Sequence, residues 1–281
     1  MKIVTTIKEV KETINEWRAR GLSVGFVPTM GYLHEGHASL MKEAKKQTDK
    51  VAVSIFVNPT QFGPGEDYDA YPRDLDHDAA MCEAEGVDLI FHPSVEEMYG
   101  KNYNTYVNME TLGDELCGKS RPTHFRGVCT VVTKLFNIVN PDKAFFGQKD
   151  AQQFVIIKRM VKDLNMRVEV IGCPIIREED GLAKSSRNTY LSAEERQAAL
   201  ILSQTIALGL DMVKNGEKDV NTLLTAMKEK IETEPLAKID YVEVVDGETM
   251  QKVNTIEESV LVAMAVYIGK TRLIDNFMYE F

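Results

Sequence analysis

Short apolar runs alternate with stretches of helical periodicity through the first two-thirds of this chain, and that alternation constrains the fold more than any other feature. Leu22-Ser23-Val24-Gly25-Phe26-Val27 reads as a strand, and an amphipathic helix is expected from about Gly36 to Thr48. Residues 51–57 form a continuous apolar run of the kind buried on both faces of a parallel sheet. Helical spacing returns at about 76–85, followed by a strand at 87–91, a helix at 128–139 and a short strand at 144–146. A helix at 151–164 and a strand at 168–171 complete the series. Such alternation predicts a right-handed, Rossmann-like parallel α/β sheet. Ligands of these sheets gather outside the carboxyl ends of the strands, so the loops that follow strands are where function belongs.

After Arg177 the pattern changes. Ser192 with Glu195 three residues on has the spacing of a capping box, and helical character runs from there to about Lys214. A second helix is expected over 220–232, then strand-like runs at 239–245, 259–268 and 271–276, the last two joined across Gly269-Lys270. The reading is a Rossmann-like domain at residues 1–176 and a smaller C-terminal α+β domain at 177–281, with the boundary near Ile176 to Gly181.

Composition removes several function classes. With 281 residues, 44% hydrophobic and 27% charged, the chain is long enough for two ordinary cores. Lys+Arg 33 against Asp+Glu 43 gives a net charge of −10, which disfavours nucleic acid and anionic membrane as partners. Eleven basic and 19 acidic residues lie in 178–281, leaving 22 and 24 in 1–177, so the N-terminal part is nearly neutral and suited to anionic ligands. No run approaches the ~18 apolar residues of a membrane helix, and the first residues lack the apolar core of a signal peptide. A cytoplasmic protein is expected. Cys82, Cys117, Cys129 and Cys173 are far apart with no metal-knuckle spacing, and are read as buried free thiols.

Gly113-Asp114-Glu115-Leu116-Cys117-Gly118-Lys119-Ser120 satisfies the P-loop pattern. That motif needs a strand before it and a helix after it. Here Pro122 follows and two carboxylates occupy the loop, so chance is the better explanation. Four other segments carry more weight. Met30-Gly31-Tyr32-Leu33-His34-Glu35-Gly36-His37 joins the first strand to its helix and would set two imidazoles beside free backbone N–H groups. Asn58 and Gln61 follow the second strand and offer neutral amides to a hydroxyl- or carboxylate-bearing ligand, turn chemistry being the alternative for Asn58-Pro59. Gly147-Gln148-Lys149-Asp150 is again strand, glycine, helix start, with Lys149 able to reach a phosphate and Asp150 expected to cap the helix. Lys184-Ser185-Ser186-Arg187, at the domain junction, sets two hydroxyls between two cations. Together they point to one nucleotide site.

The histidine loop resembles the His-x-Gly-His signature of the nucleotidylyl-transferase superfamily, and 185–187 resembles its second phosphate-binding loop. The ordered set of 28–37, 56–62, 71–73, 121–128, 146–150 and 185–188 resembles the pantothenate synthetase family, the AMP-forming pantoate–β-alanine ligases. That resemblance implies an ATP-dependent condensation of pantoate with β-alanine through pantoyl-adenylate, releasing AMP and pyrophosphate. Another adenylyltransferase of the superfamily is the alternative. By the same resemblance ATP is held by Met30, Gly31, Tyr32, Leu33, His34, Glu35, Gly36 and His37, by Gly147, Gln148, Lys149 and Asp150, and by Ile176, Lys184, Ser185, Ser186 and Arg187. Gln61 and Gln153 would hold pantoate, with Gln61 also near β-alanine. Asn58, Tyr71 and Arg121 are second-tier candidates. His37, His34, Lys149 and Arg187 are the catalytic candidates, His37 as the family's proposed proton donor. Lys184 replaces a methionine common in the family, and is expected either to add a phosphate contact or to point outward. The acidic stretch that can hold a cation in relatives reads Asp74-Leu75-Asp76-His77-Asp78, interrupted by His77, so no protein-only metal site is expected. Mg2+ would arrive with ATP. A homodimer is implied by the family alone.

Overall fold

The computed structural model describes residues 1–280. Six parallel strands form the larger sheet in the order β1-β4-β3-β2-β5-β6: β1 (Lys2–Val4), β2 (Val24–Thr29), β3 (Lys50–Ile55), β4 (Leu89–Phe91), β5 (Lys143–Gly147) and β6 (Glu169–Cys173). The chain runs outward from β2 through β3 to β4, then returns to pair β5 against the other side of β2. Strand order therefore reverses between β2 and β5, and the crevice beyond their carboxyl ends is the switch point where such sheets bind ligands.

Period-two burial explains how helices cover both faces. Val24 and Phe26 of β2, Ala52 of β3, Leu89 and Phe91 of β4, and Ala144 and Phe146 of β5 face one way. They meet α1 (Ile7–Ala19), α6 (His124–Val139) and α7 (Ala151–Asp163). Val27, Val51, Val53, Ile55, Ile90 and Phe145 face the other way, onto α2 (Glu35–Gln47) and α3 (Leu75–Ala84). Strand β1 and helix α1 were not expected, although a signal was present. Thr6 and Glu9 form a capping box, and Val10, Ile14 and Trp17 make a buried stripe at i, i+4, i+7.

Between β4 and α6 lie only two single-turn helices, α4 (Val95–Met98) and α5 (Cys117–Ser120). No strand leads into Gly113, Lys119 pairs with Glu115 at 2.7 Å, and any side chain at Gly118 would strike the Gly113 carbonyl. The P-loop pattern is thus a coincidence of sequence.

The C-terminal region forms as read. Ser192 and Glu195 make a reciprocal capping box ahead of α8 (Ala193–Ala198), followed by α9 (Leu200–Lys214) and α10 (Val220–Glu232). An antiparallel sheet of β7 (Ala237–Asp246), β8 (Val260–Ile268) and β9 (Thr271–Tyr279) packs on them with its own core. Cys82, Cys129 and Cys173 are buried thiols, but Cys117 is only half-buried, its Sγ 3.2 Å from the Tyr241 hydroxyl. Among the described residues no helix is long and apolar enough to cross a membrane.

Candidate active site

The histidine loop is built by its own backbone. Strand β2 ends at Thr29, whose Oγ1 donates to the Ser54 carbonyl at 2.7 Å and accepts from the Gly31 N–H at 3.2 Å. Gly31 has φ +85°, and a Cβ there would press on Ile55 and Asp78. Tyr32 also has positive φ, a strained conformation held by Asp78 of α3. That carboxylate, 1% exposed, accepts from Tyr32 N–H at 2.8 Å and Leu33 N–H at 2.6 Å. His34 then caps α2, its Nδ1 accepting from Gly36 N–H at 3.1 Å, while Nδ1 of His37 accepts from His34 N–H at 3.2 Å.

Because both Nδ1 atoms accept, each neutral ring carries its proton on Nε2. Burial, reinforced by Lys149, lowers His34 to about 4. Burial, with His34 and Lys149 adding to it, holds His37 well below the usual histidine range. At neutral pH the pair is therefore two N–H donors rather than two cations.

At the end of β3 a turn of 3-10 helix spans Pro59–Gln61. Asn58 is committed to the protein. Its Nδ2 donates to Gln61 Oε1 at 3.1 Å and to the Gly127 carbonyl at 3.2 Å, and its Oδ1 accepts from Tyr99 at 2.7 Å. It therefore fixes Gln61 instead of presenting an amide to a ligand. The Gln61 Nε2 has the Met30 thioether at 3.1 Å, a weak acceptor that leaves this amide able to serve a ligand.

Beyond β5, a 3-10 turn over Gln148–Asp150 brings Lys149 to the crevice, its Nζ 3.6 Å from Asp150. Asp150 occupies the N-cap position of α7 but makes no capping hydrogen bond; its carboxylate turns to Lys149 instead, contrary to the capping expected of it. At the junction, Lys184 neither points outward nor stands free for phosphate: it bridges Glu35 at 2.9 Å and Glu178 at 3.0 Å. Ser185 caps the 3-10 turn Ser186–Tyr190, and Ser186 donates to the Tyr32 carbonyl at 3.2 Å. Arg187 makes a two-pronged pair with Asp67, both contacts 2.9 Å. Arg121 does the same with Glu66, both 2.7 Å.

These segments enclose a cavity of about 210 Å³. It brings together Met30, His34, Gly36, His37, Gln61, Gly147, Lys149, Asp150, Gln153, Ile176, Lys184, Ser185, Ser186 and Arg187, with Asn58 and Tyr71 also on its wall. An adjoining cavity of about 640 Å³ shares Lys149, Asp150, Gln153, Ser185 and Arg187 and holds Arg121 on its lining. Gly31, Tyr32, Leu33, Glu35 and Gln148 do not line either cavity. Leu33 is in the core, Glu35 faces Lys184, and Gln148 accepts through its carbonyl from Asn276. Sequence reasoning missed the apolar wall formed by Phe56, Val128, Val131, Val132 and Leu135, and missed Asp78 as the loop's tether. The α6 part of the wall was legible as helical periodicity, but the strand and turn it would meet were not.

The acidic stretch does not fit a metal ion. Asp74 caps α3 by accepting from His77 N–H, and both Asp78 oxygens are taken by the histidine loop. Among the described residues no cluster of three His, Cys, Asp or Glu side chains could hold a metal.

A sequence model of the family described as Pantoate-beta-alanine ligase matches residues 2–278. The pantothenate synthetase of Clostridium botulinum (strain Loch Maree) is 59% identical over 280 residues, spanning 100% of both chains. That of Ruminiclostridium cellulolyticum is 62% identical over 279 residues, with 99% of each chain covered. Among solved structures, the pantothenate synthetase of Thermus thermophilus superposes with a TM-score of 0.94 at 44% identity, covering 99% of both chains. A pantoate-beta-alanine ligase from Francisella tularensis, complexed with beta-gamma ATP and beta-alanine, gives 0.82 at 37% identity over 99% of this chain and 97% of that one.

Proposed function

The chain belongs to the pantoate–β-alanine ligase family, and on that premise we propose that it condenses pantoate with β-alanine in two ATP-driven steps at the β2–β5 crevice. The observation that carries this reading is one cavity in which His34, His37, Lys149, Ser186 and Arg187 face an apolar wall flanked by Gln61 and Gln153. Phosphate oxygens suit the first group, and a branched hydroxy acid suits the second.

In the first step a pantoate carboxylate oxygen attacks the α-phosphorus of ATP, the bond to the bridging oxygen breaks, and pyrophosphate leaves. The carboxylate is already ionised near neutral pH, so no general base is required. Alignment for in-line attack and donors for the charge moving onto pyrophosphate are required. Lys149 and Arg187 supply positive charge, and His34 and His37 supply Nε2–H groups. In this reading His37 acts as a hydrogen-bond donor whose proton stays on the ring. Arg187 reaches phosphate by exchanging Asp67 for it, a swap of one charge-assisted pair for another. In the second step the neutral amine of β-alanine attacks the acyl carbon of pantoyl-adenylate, a C–N bond forms, AMP leaves, and the amine sheds a proton. Gln61 and Gln153 hold the acid, and Gln61 also lies toward β-alanine.

Among the described residues no side-chain cluster forms a metal cage, so Mg2+ in this reading is bound chiefly through phosphate oxygens. Residues 1–176 act as the nucleotide- and pantoate-binding domain and 177–281 as a lid bearing the junction loop. The enzyme is assigned to the cytoplasm as a homodimer, which sedimentation against a monomer standard tests directly. Activity is tested by supplying ATP, pantoate and β-alanine and following the products. Pantothenate, AMP and pyrophosphate should appear in equal amounts. AMP transfer to a phosphorylated acceptor with no amide formed would instead identify an adenylyltransferase.

A further inference from the structure

Asn276 of β9 reaches from the C-terminal sheet to the turn that carries Lys149. Its Nδ2 donates to the Gln148 carbonyl at 3.1 Å and to the Lys149 carbonyl at 2.8 Å, and the residue is 5% exposed. That 3-10 turn has no side-chain cap of its own, since neither Gly147 nor Asp150 makes one. The preceding residue, Asp275, accepts from the Asn276 backbone N–H at 2.8 Å and pairs with both terminal nitrogens of Arg177, at 2.7 and 2.9 Å. Arg177 in turn donates to the Gly181 carbonyl at 3.0 Å, inside the hairpin that leads to Lys184. Two consecutive side chains of β9 therefore hold the turn that carries Lys149 and, through Arg177, the hairpin that leads to Lys184.

We propose that Asn276 is a positioning residue for the first chemical step. It fixes the carbonyls of residues 148 and 149, and with them the backbone from which the Lys149 ammonium reaches the phosphates. The inference rests on Lys149 as a phosphate-facing group. The physical reason is that Lys149 has only a 3.6 Å contact to Asp150 holding its head, so the direction of its stem is set by the turn. A displacement of about 1 Å at a reacting group costs roughly 10- to 100-fold in rate.

The test is a double-mutant cycle in pantoate-dependent ATP–pyrophosphate exchange, using Asn276→Ala, Lys149→Ala and the double variant of the full-length enzyme. Asn276→Ala should lower kcat roughly 10- to 100-fold while pantoate KM stays within about twofold, and it should cause little further loss in the Lys149→Ala background. Asn276→Asp, which keeps the shape but removes both donors, should lose as much as alanine. Losses that multiply in the double variant, or wild-type kcat in Asn276→Asp, would overturn the proposal by making Asn276 a filler of the interface. Wild-type exchange in Lys149→Ala would refute the phosphate role of Lys149 itself, and the inference falls with it by a separately visible result. If Asn276→Ala does not fold, Asn276→Ser enters the same cycle with the same expectations.

Discussion

Asp78 is the residue on which the histidine loop depends, and it never touches the cavity. Its two oxygens satisfy the N–H groups of Tyr32 and Leu33, where the chain takes a positive φ that a tyrosine does not favour. Asparagine has one acceptor in place of two, so Asp78→Asn should leave one donor unpaired and lower stability by about 1–3 kcal/mol. Chemical denaturation measures this, and KM for ATP should rise in parallel; an unchanged midpoint would mean the loop holds itself. The histidines carry a second prediction. With His34 at about 4 and His37 held well below the usual histidine range by burial, neither ring changes charge between pH 6 and 8. The kcat/KM profile for ATP should show no ionisation from them in that window, and ring-nitrogen NMR should report Nε2–H tautomers. Either of these two rings titrating near 6.5 would contradict the assignment. Folded values below the unfolded one mean that the unfolded chain binds more protons as pH falls beneath about 6.5, so stability declines from there toward pH 4. The sequence displayed these imidazoles and their place at a helix start. Their neutrality was hidden because burial and the nearness of Lys149 are properties of the fold.

Helix α6 and the 3-10 turn Pro59–Gln61 show how elements far apart in the chain shape one subsite. Gly127 lets the helix lie against the turn: a Cβ there would collide with the Thr60 carbonyl and the Gln61 N–H. The same glycine's carbonyl receives Asn58, which in turn fixes Gln61. Gly127→Ala should therefore push the turn away, costing about 1–3 kcal/mol and raising pantoate KM more than ATP KM. Equal changes in both constants would place Gln61 outside the pantoate subsite. Most elements were legible from periodicity, because period-two burial along β2, β3 and β5 leaves apolar runs that a parallel sheet requires. Asp150 shows the limit of that reading. Its position predicted a cap, but capping competes with a lysine one residue away, and the lysine wins. Lys184 likewise looked free in a basic loop, and only the fold brings Glu35 and Glu178 to it.

At the scale of the whole molecule, the smaller sheet is tied to the larger domain through Asp275 and Asn276, and a loop ahead of α3 is tied to the junction loop through Asp67 and Arg187. The Asp275 carboxylate is 1% exposed, so Arg177→Ala would strand a buried charge and lower stability by about 3 kcal/mol. A thermal scan measures that loss, and an unchanged melting temperature would mean that water replaces the arginine. The sequence reads as two regions and a junction, since strand–helix alternation stops near 177 and helices followed by paired antiparallel strands replace it. It could not show which β9 side chains cross the junction, because Asp275-Asn276 reads as ordinary strand polarity until the partner segment is in place. The central claim is that distant loops converge on one triphosphate beside a hydroxy acid. Isotope exchange between ATP and pyrophosphate tests it most directly. Exchange should require pantoate, proceed without β-alanine, and fall roughly a hundredfold or more in Lys149→Ala. Exchange supported equally by an unrelated acid, or undiminished when Lys149 is removed, would contradict the account.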